Sequence, residues 1–408
     1  AGFKYQVVFD TVNESLDGMP HPDFSFYNPT MILNKRVPLL KVKAFLGNQV
    51  IAPFLFGEIE RVSDYPVDLI VNHMSAIHWP TENYLLSRKY MKTAELDLEL
   101  VKDKKIAIHL HTFYVDLLED FLSIFKTYRF DFDLFITTNT QEKAAEIQEI
   151  LERYNRPALV KVTGNVGRDV LPMLELKDEL EKYDYVGHFH TKKSKEADYW
   201  AGQSWRTELI DMLVKPANEI IANLSQRDDL GLVIADIPSY FRFVKMDPWV
   251  EMGMLPWMED LWKRMGIDKD MPFYEAHVFV MSYGTYMWFK YEALKPLFDL
   301  GLSKEEVPKE PLPQNTILHA FERMPVYVNW ANGFDFKIVE SPNHLTPFID
   351  NKLLNRRHEN QFSPYAYVDF NKHGGLKGAF KFMRTSFVNS SKYILKRIYL
   401  RLIGKKHM

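Results

Sequence analysis

The chain has 408 residues, too long for one ordinary hydrophobic core, so two compact units are expected. It has no cysteine, which excludes disulfides, thiolate metal sites and thiol nucleophiles, and no run of about 18 apolar residues that could cross a membrane. The formal charge of -3 hides an asymmetry, because residues 371–408 hold 10 Lys/Arg and no Asp or Glu; an acidic body on a basic tail points to a charged surface as partner rather than to nucleic acid.

The first residues carry no apolar signal segment, and a cytoplasmic location is expected. The opening AGFKYQVVFD alternates as a strand does, and NGFDFKIVES at residues 332–341 echoes it. A second loose echo joins NPTMILNKR near Asn28 to DNKLLNRR near Asp350, so two similar modules are expected, the chain starting inside the end of the first. Residues 10–95, rich in Pro, Asn and aromatic side chains, read as a partly helical connecting layer.

From Lys105 the pattern becomes regular. IAIHLHTF, FDLFITTNT, ALVKVTGNV, YDYVGHFHT and LGLVIADI read as buried strands. Between them VDLLEDFLSIFKTY, QEKAAEIQEILERY, DVLPMLELKDELEKY and SWRTELIDMLVKPANEIIANL read as helices. This alternation predicts βαβ units and a parallel sheet covered on both faces. After Ser239 it breaks into an aromatic, Met-rich segment. HVFVMSYGTYMWFK then reads as two strands or one bent strand leading into the helix EALKPLFDL. The helix NTILHAFERMPVYVNWANG follows, with a kink or join at Pro325.

The chemistry gathers between Gly164 and Ser194. Open α/β sheets bind ligands outside the carboxyl ends of their strands. His109 and His111 lie two apart on one predicted strand, and His188 and His190 repeat the spacing on another, so each pair shares a face. If the two strands are neighbours, their ends share one crevice with Lys192 and Lys193; the plain alternative is a set of solvated strand-end residues. Arg168 can offer a guanidinium fork to phosphate, while Asp169 either caps the following helix or acts in the site. Neither a GxGxxG fingerprint nor a Walker loop occurs. Trp249, Trp257 and Trp262 could line a sugar-stacking groove, or simply pack as the apolar face of a helix. Tyr393, Ile394, Leu395, Ile398, Tyr399, Leu402 and Ile403 recur among basic residues in the tail, the composition of an interfacial helix on anionic lipid.

GRDVLPML, YDYVGHFHTKKS, WRTELIDML, VIADIP and EPLPQNTILHAFER, spread in one order over residues 105–336, closely resemble the rhamnan synthesis protein F family of rhamnosyltransferases. HPDFSFYNPT and VPLLKVKAF extend the likeness to the amino end. The resemblance implies a GT-A-like, Rossmann-like α/β fold that binds a nucleotide sugar. Residues 1–98 would then be the end of a preceding transferase-like module plus the connecting layer. Residues 99–345 would be the transferase domain, and residues 346–408 an extension with a basic amphipathic helix. The implied reaction moves L-rhamnose from dTDP-β-L-rhamnose, with inversion, to a growing rhamnan on a lipid diphosphate. The expected location is cytoplasmic, peripheral at the inner face of the cell membrane.

In such enzymes an Asp-x-Asp with a divalent metal normally holds the diphosphate at the end of the fourth strand. Here that place reads His188-Phe189-His190. The expected nucleotide-sugar ligands are therefore His109, His111, Arg168, His188, His190, Lys192 and Lys193, with Mg or Mn at His190 as an open alternative to the ammonium groups. The carboxylate base that an inverting transfer needs is sought at Glu310, just before a late helix, with Glu305 and Glu306 close by; Asp169, Glu275 with His277, and Asp236 are further candidates. Two rival readings stay open. One is a sugar-binding or scaffolding module without catalysis of its own; the other is a metal-dependent hydrolase built on the paired His-x-His.

Overall fold

The computed structural model describes residues 67, 80, 86–191, 193, 199–239, 253–274, 279–310, 312–313 and 315–341, together with nine helical positions between 380 and 398. The chain divides into two compact units, Ala1–Lys89 and Tyr90–Met408. The elements below belong to the second. The opening strand AGFKYQVVFD, Lys192, Trp249, Glu275 and His277 lie outside the described residues.

The second unit is α/β. Its sheet has seven strands: β1 (Ile106–His111), β2 (Asp133–Thr138), β3 (Leu159–Val162), β4 (Tyr185–His190), β5 (Leu230–Ala235), β6 (Met287–Lys290) and β7 (Asp335–Val339). Their spatial order is β3-β2-β1-β4-β6-β5-β7. Every residue of β1, β4 and β5 is buried, the histidines of β1 and β4 included, as expected of strands covered on both faces. The sheet is mixed rather than parallel throughout: β6 runs antiparallel to both β4 and β5, while β7 is parallel to β5. The chain reaches β6 through Gly284 and Thr285, both at positive φ, and only MWFK pairs as a strand. Among the described residues of the upstream run, Phe279 to Ser282 form no strand, and Val280 donates its N–H to the Tyr327 hydroxyl instead of to a ladder.

Helix α1 (Leu98–Val101) is capped by the Asp97 carboxylate, which accepts the Glu99 N–H, and the later helices follow their apolar spacing. In α2 (Leu118–Phe125), Leu118, Phe121, Leu122 and Phe125 turn one stripe inward. Helix α3 (Gln141–Arg153) starts at Thr140, whose hydroxyl accepts the Lys143 N–H, and buries Ile147, Ile150 and Leu151. The single helix predicted after β3 is two, α4 (Val170–Leu174) and α5 (Lys177–Leu180); between them Lys161 of β3 donates to the freed Glu175 carbonyl. The long helix predicted after β4 is also interrupted. It runs from Tyr199 to Leu209, passes through a wide π turn at Ile210–Val214, and resumes after Pro216 at Ala217–Gln226. The Leu213 carbonyl in that turn accepts the Trp288 indole N–H at 2.8 Å. Trp288 in turn lies against Gly187, where an added Cβ would stand 2.9 Å from the indole ring. The join expected at Pro325 is present, between helices Ile317–Phe321 and Met324–Ala331.

In the tail, Phe380, Met383, Arg384, Phe387, Val388, Ser391, Ile394, Leu395 and Ile398 are helical, and their spacing places them on one stripe. The apolar members of that stripe are all exposed, Phe387 by 75% and Leu395 by 65%. Among the described residues no helix is long and apolar enough to cross a membrane.

Candidate functional site

β1 is followed by a connection to β2 on one side, whereas β4 leads to the opposite half of the sheet. The β1–β4 pair is therefore the topological switch point, where a crevice opens at the carboxyl ends of the strands. A cavity of about 390 Å³ lies there. His111, Phe113 and Tyr114 come from the end of β1; Asn165, Arg168 and Asp169 from the turn after β3; His190, Thr191 and Lys193 from the end of β4. Gly284 and Thr285 close it from the approach to β6, and Glu310, Leu312, Leu318, His319 and Glu322 close it from the last helical region.

Two walls of this cavity hold backbone in the left-handed region. Gly167 (φ 83) precedes Arg168 (φ 53), and Gly284 (φ 63) precedes Thr285 (φ 58). At Gly167 a Cβ would fall 2.2 Å from the Leu171 side chain, so a side chain there is barred by space as well as by φ. A β-branched threonine at positive φ is an outlier, and such strain concentrates at functional sites.

The predicted histidine pairs are neighbours in register, His109 opposite His188 and His111 opposite His190. They do not all reach the cavity. His109 and His188 are wholly buried beneath it, with their Nδ1 atoms 2.9 Å apart, and His109 Nε2 lies 2.8 Å from the Thr137 hydroxyl. His111 and His190 line the cavity. His111 Nδ1 lies 2.9 Å from the same Thr137 hydroxyl, and His190 donates from Nε2 to the Gly284 carbonyl at 2.7 Å. Burial, the largest influence, pushes His111 down to about 3; it also holds His109 well below the usual imidazole range, with His188 adding to the effect.

Asp169 precedes α4, yet its carboxylate does not cap that helix. It turns to the histidines, 3.3 Å from His188 Nε2 and 4.0 Å from His190 Nε2, and accepts a hydrogen bond from the Thr285 hydroxyl. The cap reading of Asp169 is thus corrected: local preference yields to a buried cluster of donors. Burial alone would raise its pKa, but His190 and the hydrogen bonds from His188 and Thr285 outweigh burial and hold it well below the usual carboxylate range.

Arg168 and Glu310, 142 residues apart, meet at 2.9 Å between Nε and Oε1. Glu310 also accepts the Leu312 N–H at 2.8 Å, and the Arg168 hydrogen bond lowers its pKa. Lys193 pairs with Asp116 and lies over the Tyr114 ring, 4.9 Å from its centre. The other carboxylates stand elsewhere. Asp236 is buried at the end of β5, accepting the Tyr90 hydroxyl at 3.0 Å and the Ile237 N–H at 2.7 Å. Glu306 pairs with Arg264 and accepts the Ser303 N–H, and Glu305 is exposed. Trp262 packs edge-on against Phe273 in the core, whereas Trp257 is 40% exposed and donates to the Asn315 carbonyl. Asp236, Glu305, Glu306, Trp257 and Trp262 do not line the cavity.

The sequence reading missed His319 and Glu322. They fall three apart in the run NTILHAFER, a spacing that puts both on one side of a helical turn. Glu322 accepts the Gly284 N–H at 2.5 Å and so ties the last helical region to the strained turn before β6. Phe113 ends the predicted strand IAIHLHTF and Tyr114 falls between it and the predicted helix, with no local signal that marks either for the cavity.

His190 is the residue read as a possible Mg or Mn ligand. His190 Nε2 is held by a carbonyl, His188 Nε2 faces Asp169, and among the described residues no three His, Asp or Glu groups are arranged to hold an ion. No step below is routed through a metal.

Fold and cavity together define an α/β protein with a candidate site at the switch point of its sheet. A profile of the rhamnan synthesis protein F family (RgpF) matches residues 1–334, and the chain belongs to that family. It is similar to the uncharacterized protein WxcX from two strains of Xanthomonas campestris pv. campestris, 30% identical over 220 and 221 residues, 52% of this chain. The match spans 30% of the length of these curated relatives.

Proposed function

We propose that the chain is a glycosyltransferase of rhamnan synthesis, with a GT-A-like domain over residues 99–345 that takes a nucleotide sugar, dTDP-β-L-rhamnose, into the β1–β4 crevice. The observation that carries this reading is the cavity itself: an aromatic-flanked opening that sets Arg168 and Lys193 among the carboxylates Asp169, Glu310 and Glu322, at the switch point of a 3-2-1-4 strand order, in a member of this family. Arg168 and Lys193 are the cations read as diphosphate partners, and Phe113 with Tyr114 offers ring faces to a base. Both cations are ion-paired to carboxylates. A diphosphate that takes the Arg168 guanidinium frees Glu310, and loss of that partner raises the basicity of the carboxylate. Glu310 is then the base that removes the acceptor hydroxyl proton as the leaving diphosphate gathers charge against Arg168.

The acceptor in this reading is a lipid-diphosphate-linked rhamnan. The exposed apolar stripe of the tail helix, set in a segment with 10 Lys/Arg and no acidic residue, would hold residues 346–408 at an anionic membrane surface. The test is twofold, on the full chain. Saturating dTDP raises the thermal midpoint where NAD and ATP do not, since a ligand of the native state stabilises it; and dTDP-rhamnose donates rhamnose to a lipid-linked acceptor. Equal shifts with all three nucleotides, or none, would remove the donor assignment.

A further inference from the structure

A continuous hydrogen-bonded chain runs beneath the cavity floor and returns to it. It begins at Asp169, passes to His188 Nε2 (3.3 Å), from His188 Nδ1 to His109 Nδ1 (2.9 Å), from His109 Nε2 to the Thr137 hydroxyl (2.8 Å), and ends on His111 Nδ1 (2.9 Å). His109, His188 and Thr137 are fully buried, out of reach of bulk solvent, so their polar atoms bond to one another.

The chain has a direction. An ionised carboxylate only accepts, so His188 donates from Nε2; if that is its single ring proton, Nδ1 accepts. His109 must then donate from Nδ1 and accept at Nε2. Thr137 has one hydroxyl proton, which goes to His109, and its oxygen is left to accept from His111 Nδ1. Each partner thereby fixes the next tautomer. Burial of His109 and His111, which disfavours their charged forms, agrees with neutral rings at both positions.

We propose that this chain locks His111 as the tautomer protonated at Nδ1, so that its Nε2 faces the cavity as a fixed hydrogen-bond acceptor for an N–H or O–H of the bound ligand. His109, His188 and Thr137 are positioning residues for that one atom. His111 Nε2 is not among the buried nitrogens left without a partner, and His111 lines the cavity beside Phe113 and Tyr114. The site therefore selects for a ligand that donates at this point and against one that accepts there. A pyrimidinedione base meets the requirement through its imide N–H, a ribose or sugar through a hydroxyl. The inference rests on the nucleotide-sugar reading above for the identity of the ligand, but the tautomer lock itself does not.

The experiment has two readouts on the full chain. With nitrogen-15-labelled histidine, the His111 signals should show the proton on Nδ1 and a bare Nε2, and Thr137→Val should abolish that preference while Thr137→Ser keeps it. In calorimetric titration with dTDP, Thr137→Val should weaken binding by about 3- to 10-fold, the worth of one neutral hydrogen bond, and Thr137→Ser should restore it. If dTDP methylated at the imide nitrogen binds the native chain equally weakly, the imide is the donor; if it binds as dTDP does while Thr137→Val still weakens both, a hydroxyl is. A proton on His111 Nε2 overturns the lock, as does unchanged dTDP affinity in Thr137→Val. Failure of the native chain to bind either nucleotide instead removes the donor reading, and the spectrum still decides the lock.

Discussion

His109 and His188 form one rung of the β1–β4 ladder, His111 and His190 the next, and the same His-x-His spacing serves two ends. The inner rung is sealed, its nitrogens spent on each other, on Thr137 and on Asp169. The outer rung stands in the cavity wall. A move of two residues along a strand, about 7 Å, separates a group that orients its neighbours from one that a ligand can touch. A paired motif at a strand end is therefore not a ligand pair by virtue of its spacing; depth along the strand decides.

The sharpest way to test this division is to alter the cavity wall without touching the buried rung. Glu310→Gln should lower transfer by about two to four orders of magnitude if the carboxylate is the base, with little change in thermal midpoint, because its ion pair with Arg168 is partly exposed and such pairs contribute little. Initial rates set beside melting curves would check both halves. A pH series reads one histidine of each rung. His111 has a folded value near 3, below its unfolded value near 6.5, so the unfolded chain binds the proton first as pH falls. Its contribution is complete above about pH 6.5 and is lost at up to about 1.4 kcal/mol per pH unit below it, until the folded value is reached. His109 acts in the same direction. The thermal midpoint should therefore fall between pH 7.5 and 5.5; a flat or rising profile would mean these rings are not held neutral.

Gly187→Ala tests the other face of β4, where the indole of Trp288 leaves no room for a methyl group. It should cost about 1–3 kcal/mol of stability, seen as a lower denaturation midpoint, while dTDP affinity in the surviving folded protein stays the same. The smallest effect is expected from Leu395→Asp in the tail stripe: weaker flotation with anionic vesicles, most visible at high salt where the cations are screened, and no change in transfer to a short soluble acceptor. Equal flotation of both chains would take the stripe out of membrane binding.

The strands were legible because β5 is an unbroken apolar run and β1 and β4 are apolar apart from their histidines, and the adjacency of the two histidine pairs followed once their strands were taken as neighbours. Other features carried no local signal. The reversal at β6 depends on four residues, MWFK, entered through two left-handed positions that only Gly284 announces. Asp169 satisfies a capping pattern in sequence but is drawn to donors on β4 and at Thr285. The meeting of Arg168 with Glu310 joins segments 142 residues apart, and the sequence named both without a hint that they would neutralise each other. Lys192, read beside Lys193 as a phosphate cation, lies outside the described residues, so the weight of that reading rests on Arg168 and Lys193.

The account turns on the β1–β4 crevice as the place where the donor binds, and a crystal structure of the full chain with dTDP addresses that most directly. The expected result is nucleotide between the carboxyl ends of β1 and β4, with its diphosphate within hydrogen-bond distance of Arg168 and Glu310 turned away from the guanidinium. Nucleotide bound elsewhere, or a crevice that stays free of it at saturating concentration, would contradict the account.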